Sequence, residues 1–160
     1  MSPTRSGLFS KPTTQQAKLL LIEDNDDHWL VMKQVLARLL PQATLQRVTT
    51  AQEGLSLLQE WTYQEWELPK LILLDLYLPT AQEGWQFLRQ IKAMALPCSL
   101  IPIILLSISV SQQDIETAYQ LGVASYLVKP TTPSAWESLF RCFHTYWWET
   151  AILPPTQISF

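Results

Sequence analysis

Charged residues are scarce in this chain. They make up 16% of its 160 residues against 48% apolar ones, a balance that excludes a disordered polypeptide. A basic surplus is missing as well. Eleven Lys and Arg stand against fourteen Asp and Glu, a formal net charge of −3, so the electrostatic footprint of a nucleic-acid binder is absent. Cysteine is limited to Cys98 and Cys142, too few for a disulfide scaffold. Both sit among apolar neighbours in the sequence, and reduced, buried thiols in a cytoplasmic protein are expected. No apolar stretch approaches the roughly 18 residues a membrane span needs. Met1 to Gln16 carries Arg5 and Lys11 but no continuous apolar run, which argues against a secretory signal.

The length suits one domain with one core. Residues 1–16 are rich in Ser, Thr, Pro and Gln without a period and read as a flexible tail. From Ala17 the pattern changes. Lys18-Leu-Leu-Leu-Ile22 is a short apolar run that predicts a buried strand. Asp26 to Leu40 has helical spacing, with Asp26 and Asp27 at its N-terminal end, where carboxylates cap free amides and suit the dipole, and Pro41 as its stop. Thr44 to Val48 predicts a weaker second strand, and Thr50 to Glu60 a second helix. After a long connection from Trp61 to Pro69 come a strand from Leu71 to Leu74 ending on Asp75 and a helix from Glu83 to Ala95. Pro102 to Leu106 predicts a fourth strand ending on Ser107. Ser111 caps a fourth helix that stops near Gly122. Ser125 to Val128 predicts a fifth strand ending on Lys129. Thr132-Pro133 opens a fifth helix, cap then first-turn proline, that runs to about Trp148.

Five strand–helix pairs in alternation imply an α/β fold with a parallel sheet covered by helices on both faces. Functional groups in such sheets gather at the carboxyl ends of the strands. The residues at those ends are Glu23 and Asp24, Asp75, Ser107 and Lys129. Glu23, Asp24 and Asp75 offer hard oxygen ligands suited to Mg²⁺, an ion that shares its site readily with phosphate oxygens. Lys129 and Ser107 can bind the remaining oxygens of a phosphoryl group, and the Asp75 carboxylate can act as the nucleophile that accepts it. Taken singly, each has a plainer role: an acid at a strand end caps a helix, and a lysine is usually solvated. Their convergence on one rim favours the chemistry.

The motifs Leu-Leu-Leu-Ile-Glu23-Asp24-Asn25, Leu-Ile-Leu-Leu-Asp75-Leu-Tyr-Leu-Pro79, Pro102-Ile-Ile-Leu-Leu-Ser107 and Leu121-Gly-Val-Ala-Ser-Tyr126-Leu-Val-Lys129-Pro130 resemble the response-regulator receiver domains of two-component signalling, over about residues 18–148. The resemblance implies a doubly wound, five-stranded parallel sheet, the (βα)5 flavodoxin-like receiver fold, over residues 17–148, with a C-terminal extension over 149–160. It implies that Asp75 is the phosphoacceptor for a partner histidine kinase. Glu23, Asp24 and Asp75 would hold Mg²⁺ with the backbone carbonyl of Tyr77. Ser107 would be the switch hydroxyl, Lys129 the phosphate-binding lysine and Tyr126 the switch aromatic. The bond between Lys129 and Pro130 would be cis. Such a protein catalyses only its own phosphorylation and dephosphorylation and is otherwise no enzyme. Three positions depart from the family pattern. Ile108 replaces the usual small residue after the switch hydroxyl, Tyr77 is bulkier than the common Asn, and the loop from Pro79 to Gly84 is one residue longer. Ile108 and Tyr77 are expected to crowd the approach to Asp75.

Two other readings stay open. One is a phosphorylation-independent adaptor that uses the receiver fold for docking or dimerisation. The other is an aspartyl phosphohydrolase of the haloacid-dehalogenase type, disfavoured because Tyr77 stands where that family places its second Asp. Only twelve residues follow Trp148, too few for a helix-turn-helix unit, so a stand-alone receiver that signals through protein contacts or phosphorelay is expected. Seven tryptophans are many for 160 residues, and three fall near the C-terminus. Trp136, Leu139, Phe140, Phe143 and Trp147 form one helical stripe for the sheet. Tyr146, Ile152 and Leu153 lie off it and Trp148 is at its border. With Tyr126 they form a candidate homodimer interface, unless the C-terminal segment folds back to widen the core. Tyr146-Trp-Trp-Glu-Thr-Ala-Ile-Leu-Pro-Pro155 also resembles the C-terminal extension of cyanobacterial phytochrome-associated response regulators, small dimeric receivers that take phosphate from phytochrome kinases. His28 and His144 read as ordinary helix residues.

Overall fold

A computed structural model describes residues 17–156. The tail at 1–16 and the last four residues of the C-terminal extension lie outside the described residues. Five strands, β1 (Lys18–Ile22), β2 (Thr44–Val48), β3 (Leu71–Asp75), β4 (Ile103–Ser107) and β5 (Ser125–Val128), alternate with five helices. These are α1 (Asp26–Leu39), α2 (Ala51–Trp61), α3 (Ala81–Lys92), α4 (Gln112–Gln120) and α5 (Pro133–Phe143). All four strand pairs are parallel, in the order β2-β1-β3-β4-β5. The doubly wound α/β fold expected from the sequence is therefore present.

Alternation along each strand divides the core in two. Leu19, Leu21, Leu71, Leu73, Ile104 and Leu106 face α1 and α5, where they meet Met32, Leu36, Trp136, Phe140 and Phe143. Leu20, Ile22, Ile72, Leu74, Ile103 and Leu105 face α2, α3 and α4, against Leu58, Phe87, Leu88, Ile91 and Ala118. Each of the buried Leu, Ile, Met and Phe side chains among these contributes roughly 1.5–3 kcal/mol. Strand order reverses between β1 and β3, so a crevice opens at their carboxyl ends.

Several local expectations are corrected. Asn25 caps α1, its side chain accepting from the His28 amide at 3.0 Å, while Asp26 and Asp27 occupy the first turn. Helix α3 begins two residues early, after Thr80, and ends at Lys92. Pro102 lies just outside β4 because it has no N–H for the ladder. Lys129–Pro130 is not cis; the cis bonds among the described residues precede Pro79 and Pro97. An X–Pro amide favours trans only slightly, so local packing decides the isomer. Cys98 is buried as expected, but Cys142 is exposed, because it lies off the sheet-facing stripe of α5.

The fifth helix carries the largest correction. Its α-helical part stops at Phe143, and His144–Thr150 continues as a π-helix. A π-helix bonds i to i+5, as the Ala151 amide does to the Tyr146 carbonyl at 2.7 Å. The wider turn moves the buried position one residue later. Trp148 therefore joins the core at 7% exposure, and Trp147 is only half-buried. Trp148 is not available as a surface anchor, whereas Tyr146 and Ile152 are 56% and 90% exposed. Leu153 packs against the α1–α5 core. The segment then reaches Thr156, whose hydroxyl accepts from Lys70 Nζ at 2.9 Å, next to the start of β3.

One glycine is required by contact. A Cβ at Gly84 would run into the Leu76 carbonyl oxygen. Gly84→Ala should destabilise the fold by about 2–3 kcal/mol, read as a lower urea midpoint with an unchanged slope.

Candidate functional site

The crevice collects the residues the strand ends foretold. Glu23 follows β1 by one residue, Asp75 closes β3, Ser107 closes β4 and Lys129 follows β5. All four are buried, at 1%, 7%, 0% and 6% exposure. Asp24 is exposed at the rim. The Lys129 ammonium lies 2.7 Å from Glu23 Oε2 and 3.4 Å from Asp75 Oδ2. Glu23 Oε1 accepts from the Asn25 amide at 3.1 Å, and Arg47 Nε donates to the Glu23 carbonyl at 3.0 Å. The turn after β1 is thereby held from both sides.

Carboxylate oxygens of Glu23, Asp24 and Asp75 lie within 4.8 Å of one another. Three carboxylates face one ammonium, so the cluster is short of cationic charge. Burial first, and the Glu23 carboxylate second, push the Asp75 carboxyl up to about 7 against the pull of Lys129. Hard oxygen donors, crowded and under-neutralised, fit a divalent cation such as Mg²⁺ or Mn²⁺.

Ser107 Oγ accepts from the Ser109 amide at 3.1 Å. The Tyr126 hydroxyl donates to the Ser109 carbonyl at 2.8 Å. One residue, Ser109, thus joins the hydroxyl at the end of β4 to the aromatic ring on β5, and no sequence pattern singled it out. Tyr77 is 37% exposed. Its amide donates to Asp75 Oδ1 at 3.3 Å, and its hydroxyl donates to Asp114 Oδ2, in the first turn of α4, at 3.0 Å. Ile108 is 71% exposed, so of the two bulky departures it is Tyr77 that is tethered beside the acceptor. His28 was also passed over by pattern reasoning. Its Nδ1 lies 3.0 Å from Lys129 Nζ, and no spacing rule would reveal that contact between residues 101 apart.

Residues 19–140 match the family model of the response regulator receiver domain. The chain belongs to this family. It is 29% identical over 141 residues to the response regulator Rcp1 of Synechocystis sp., spanning 85% of this chain and 92% of Rcp1. The crystal structure of the phosphorylated cyanobacterial phytochrome response regulator RcpA superposes with a TM-score of 0.78 at 30% identity, covering 88% of this chain and 99% of that one. A Mn²⁺-bound form of Rcp1 superposes with a TM-score of 0.76 at 28% identity, covering 87% and 99%. A response regulator in red light signaling of R. palustris gives 0.77 at 28% identity, covering 87% and 99%. Among the described residues no helix is long and apolar enough to cross a membrane.

The raised Asp75 carboxyl has a consequence for stability. A group raised by folding contributes fully below its unfolded value, about 4, and that contribution is lost as pH rises through about 7. With metal chelated, Asp75→Asn should therefore stabilise the protein by about 2 kcal/mol near pH 8 and by less near pH 5. Urea unfolding at both pH values checks this, and an equal effect at each would contradict it.

Proposed function

We propose that this receiver accepts a phosphoryl group on Asp75 from a partner histidine kinase. The observation that carries the reading is the Lys129 ammonium shared between Glu23 and Asp75 inside an under-neutralised carboxylate cluster. An Asp75 oxygen attacks phosphorus; the P–N bond to the kinase histidine breaks, and its electron pair returns to the imidazole. Lys129 and Ser107 are placed to hold the phosphoryl oxygens that lie off the line of attack. Glu23, Asp24 and Asp75, with the Tyr77 carbonyl, would hold Mg²⁺, which when bound offsets negative charge between carboxylates and phosphoryl oxygens. Tyr126 and Ser107 form the switch, coupled through Ser109.

Likeness to RcpA and to the red-light regulator supports a phytochrome-type kinase as the donor, and the reading includes a cytoplasmic setting. Signal output is by protein contact or phosphorelay, with a homodimer built on α4, β5 and α5 and extended by the C-terminal segment. Half-buried Tyr126, exposed Tyr146 and Ile152, and half-buried Leu153 remain in the proposed interface, while Trp148 acts from beneath as support. Such an interface should bury at least about 1,000 Å² in total.

Intact mass after incubation with Mg²⁺ and acetyl phosphate should show one added phosphoryl group, labile to hydroxylamine and absent in Asp75→Asn. An unmodified mass at saturating donor, with a phytochrome-type kinase also failing, would favour the adaptor reading instead. Sedimentation over a concentration series should show a dimer weakened by Tyr146→Ala with Ile152→Asp. A monomer throughout, phosphorylated or not, would remove the dimer from the proposal.

A further inference from the structure

The Lys129 ammonium has three protons and no acceptor capacity. Three acceptors surround it: Glu23 Oε2 at 2.7 Å, His28 Nδ1 at 3.0 Å and Asp75 Oδ2 at 3.4 Å. The nearest and farthest are carboxylates, and the middle one is an imidazole nitrogen. Because the ammonium can only donate, Nδ1 presents its lone pair, and the His28 proton sits on Nε2. The imidazole is therefore neutral.

The position of His28 is fixed independently of Lys129. Its backbone amide donates to the Asn25 cap. Its ring lies against Trp136 of α5, with centroids 6.2 Å apart and planes inclined by 49°. Helix start and helix neighbour together aim Nδ1 at the crevice.

We propose that His28 is a positioning residue for Lys129, accepting a hydrogen bond from the ammonium so that Nζ keeps its long 3.4 Å contact with Asp75 rather than closing on it, until a phosphoryl oxygen takes the place of the imidazole. The inference rests on Asp75 being the phosphoacceptor. Without an acceptor at Nδ1, the ammonium is drawn onto the nearby Asp75 carboxylate, where it ties up the attacking oxygen. A neutral imidazole is a weaker acceptor than an anionic phosphoryl oxygen, so Lys129 exchanges one for the other when the donor arrives. In the step itself Asp75 Oδ bonds to phosphorus. The P–O bond of acetyl phosphate breaks, and acetate leaves with the electron pair. Lys129 changes hydrogen-bond partner and transfers no proton, and His28 stays neutral.

The test follows phosphoryl gain of the full chain with Mg²⁺ and acetyl phosphate, by intact mass over time. His28→Phe keeps a ring against Trp136 and deletes the acceptor. It should slow phosphorylation about tenfold, the cost of one lost hydrogen bond in the reacting arrangement. His28→Asn places an amide oxygen near the position of Nδ1 and should return the rate to within about threefold of wild type. Rescue by Asn and not by Phe is an effect that a purely structural role would not produce. A wild-type rate in His28→Phe, or Asn no faster than Phe with both variants folded by circular dichroism, overturns the inference while leaving the phosphoacceptor reading intact. If the Phe variant does not fold, His28→Gln, whose oxygen falls near Nε2 instead, supplies the contrast, and equal rates for Gln and Asn overturn it. A wild type that takes no phosphoryl group from acetyl phosphate or a kinase overturns both.

Discussion

Burying an ammonium at the rim of a sheet is costly unless each of its protons finds an acceptor. Lys129 meets that condition by drawing three chain segments together. Its own segment follows β5, Asp75 closes β3, and Glu23 and His28 lie after β1 and in α1. Remove Glu23, and the buried cation loses its closest anion. Remove Lys129, and two buried carboxylates face each other without compensation, a change on the order of 3–5 kcal/mol. The turn after β1 is fixed for the same reason: Glu23 can serve Lys129 only while the Asn25 amide holds its carboxylate and Arg47 its backbone carbonyl.

The scaffold supplies what the charges need. Strands apolar on both faces require helices on both faces, and the right-handed crossovers that place them leave the strand ends open on one side only. Because β1 and β3 are neighbours where the winding reverses, their terminal acids are the ones forced into proximity. Burial, and after it that proximity, raise Asp75 to about 7. Packing thus sets up an electrostatic deficit, which a divalent cation is suited to fill.

Much of this was legible in the chain. Strand β5 and the ends of β1 and β2 fall where the apolar runs predicted, because a short buried strand leaves little freedom in its limits. Glu23, Asp24, Asp75, Ser107 and Lys129 could be placed on one rim because topology alone brings parallel strand ends together. What escaped depends on geometry that has no period. The π-helix after Phe143 exchanged the roles of Trp147 and Trp148, and a 3.6-residue repeat cannot anticipate a wider turn. Asn25 outranked Asp26 as the cap because capping depends on one residue's backbone angles. Ser109 and His28 act through single contacts between distant segments, and neither type is diagnostic by itself.

Ser109 has a further significance for signalling. Its N–H is committed to Ser107 and its C=O, in the next peptide unit, to Tyr126, so the two contacts are linked through the φ and ψ of one residue. Under the proposed phosphorylation, a Ser107 hydroxyl drawn toward the phosphoryl group abandons the Ser109 amide, and the carbonyl that holds Tyr126 loses its fixed orientation. Tyr126 is half-buried on β5, beside α4, and its backbone amide donates to the Tyr119 hydroxyl oxygen at 3.2 Å. Tyr77 reaches the first turn of the same helix through Asp114. Helix α4 is therefore tied to the acceptor region by two routes, one through Ser109 and Tyr126 and one through Tyr77. It buries only Ala118 fully, so little apolar packing opposes its displacement once those ties change. A weakly packed helix with polar tethers to a charged crevice is the part of this fold best suited to convert a change at Asp75 into a change of surface.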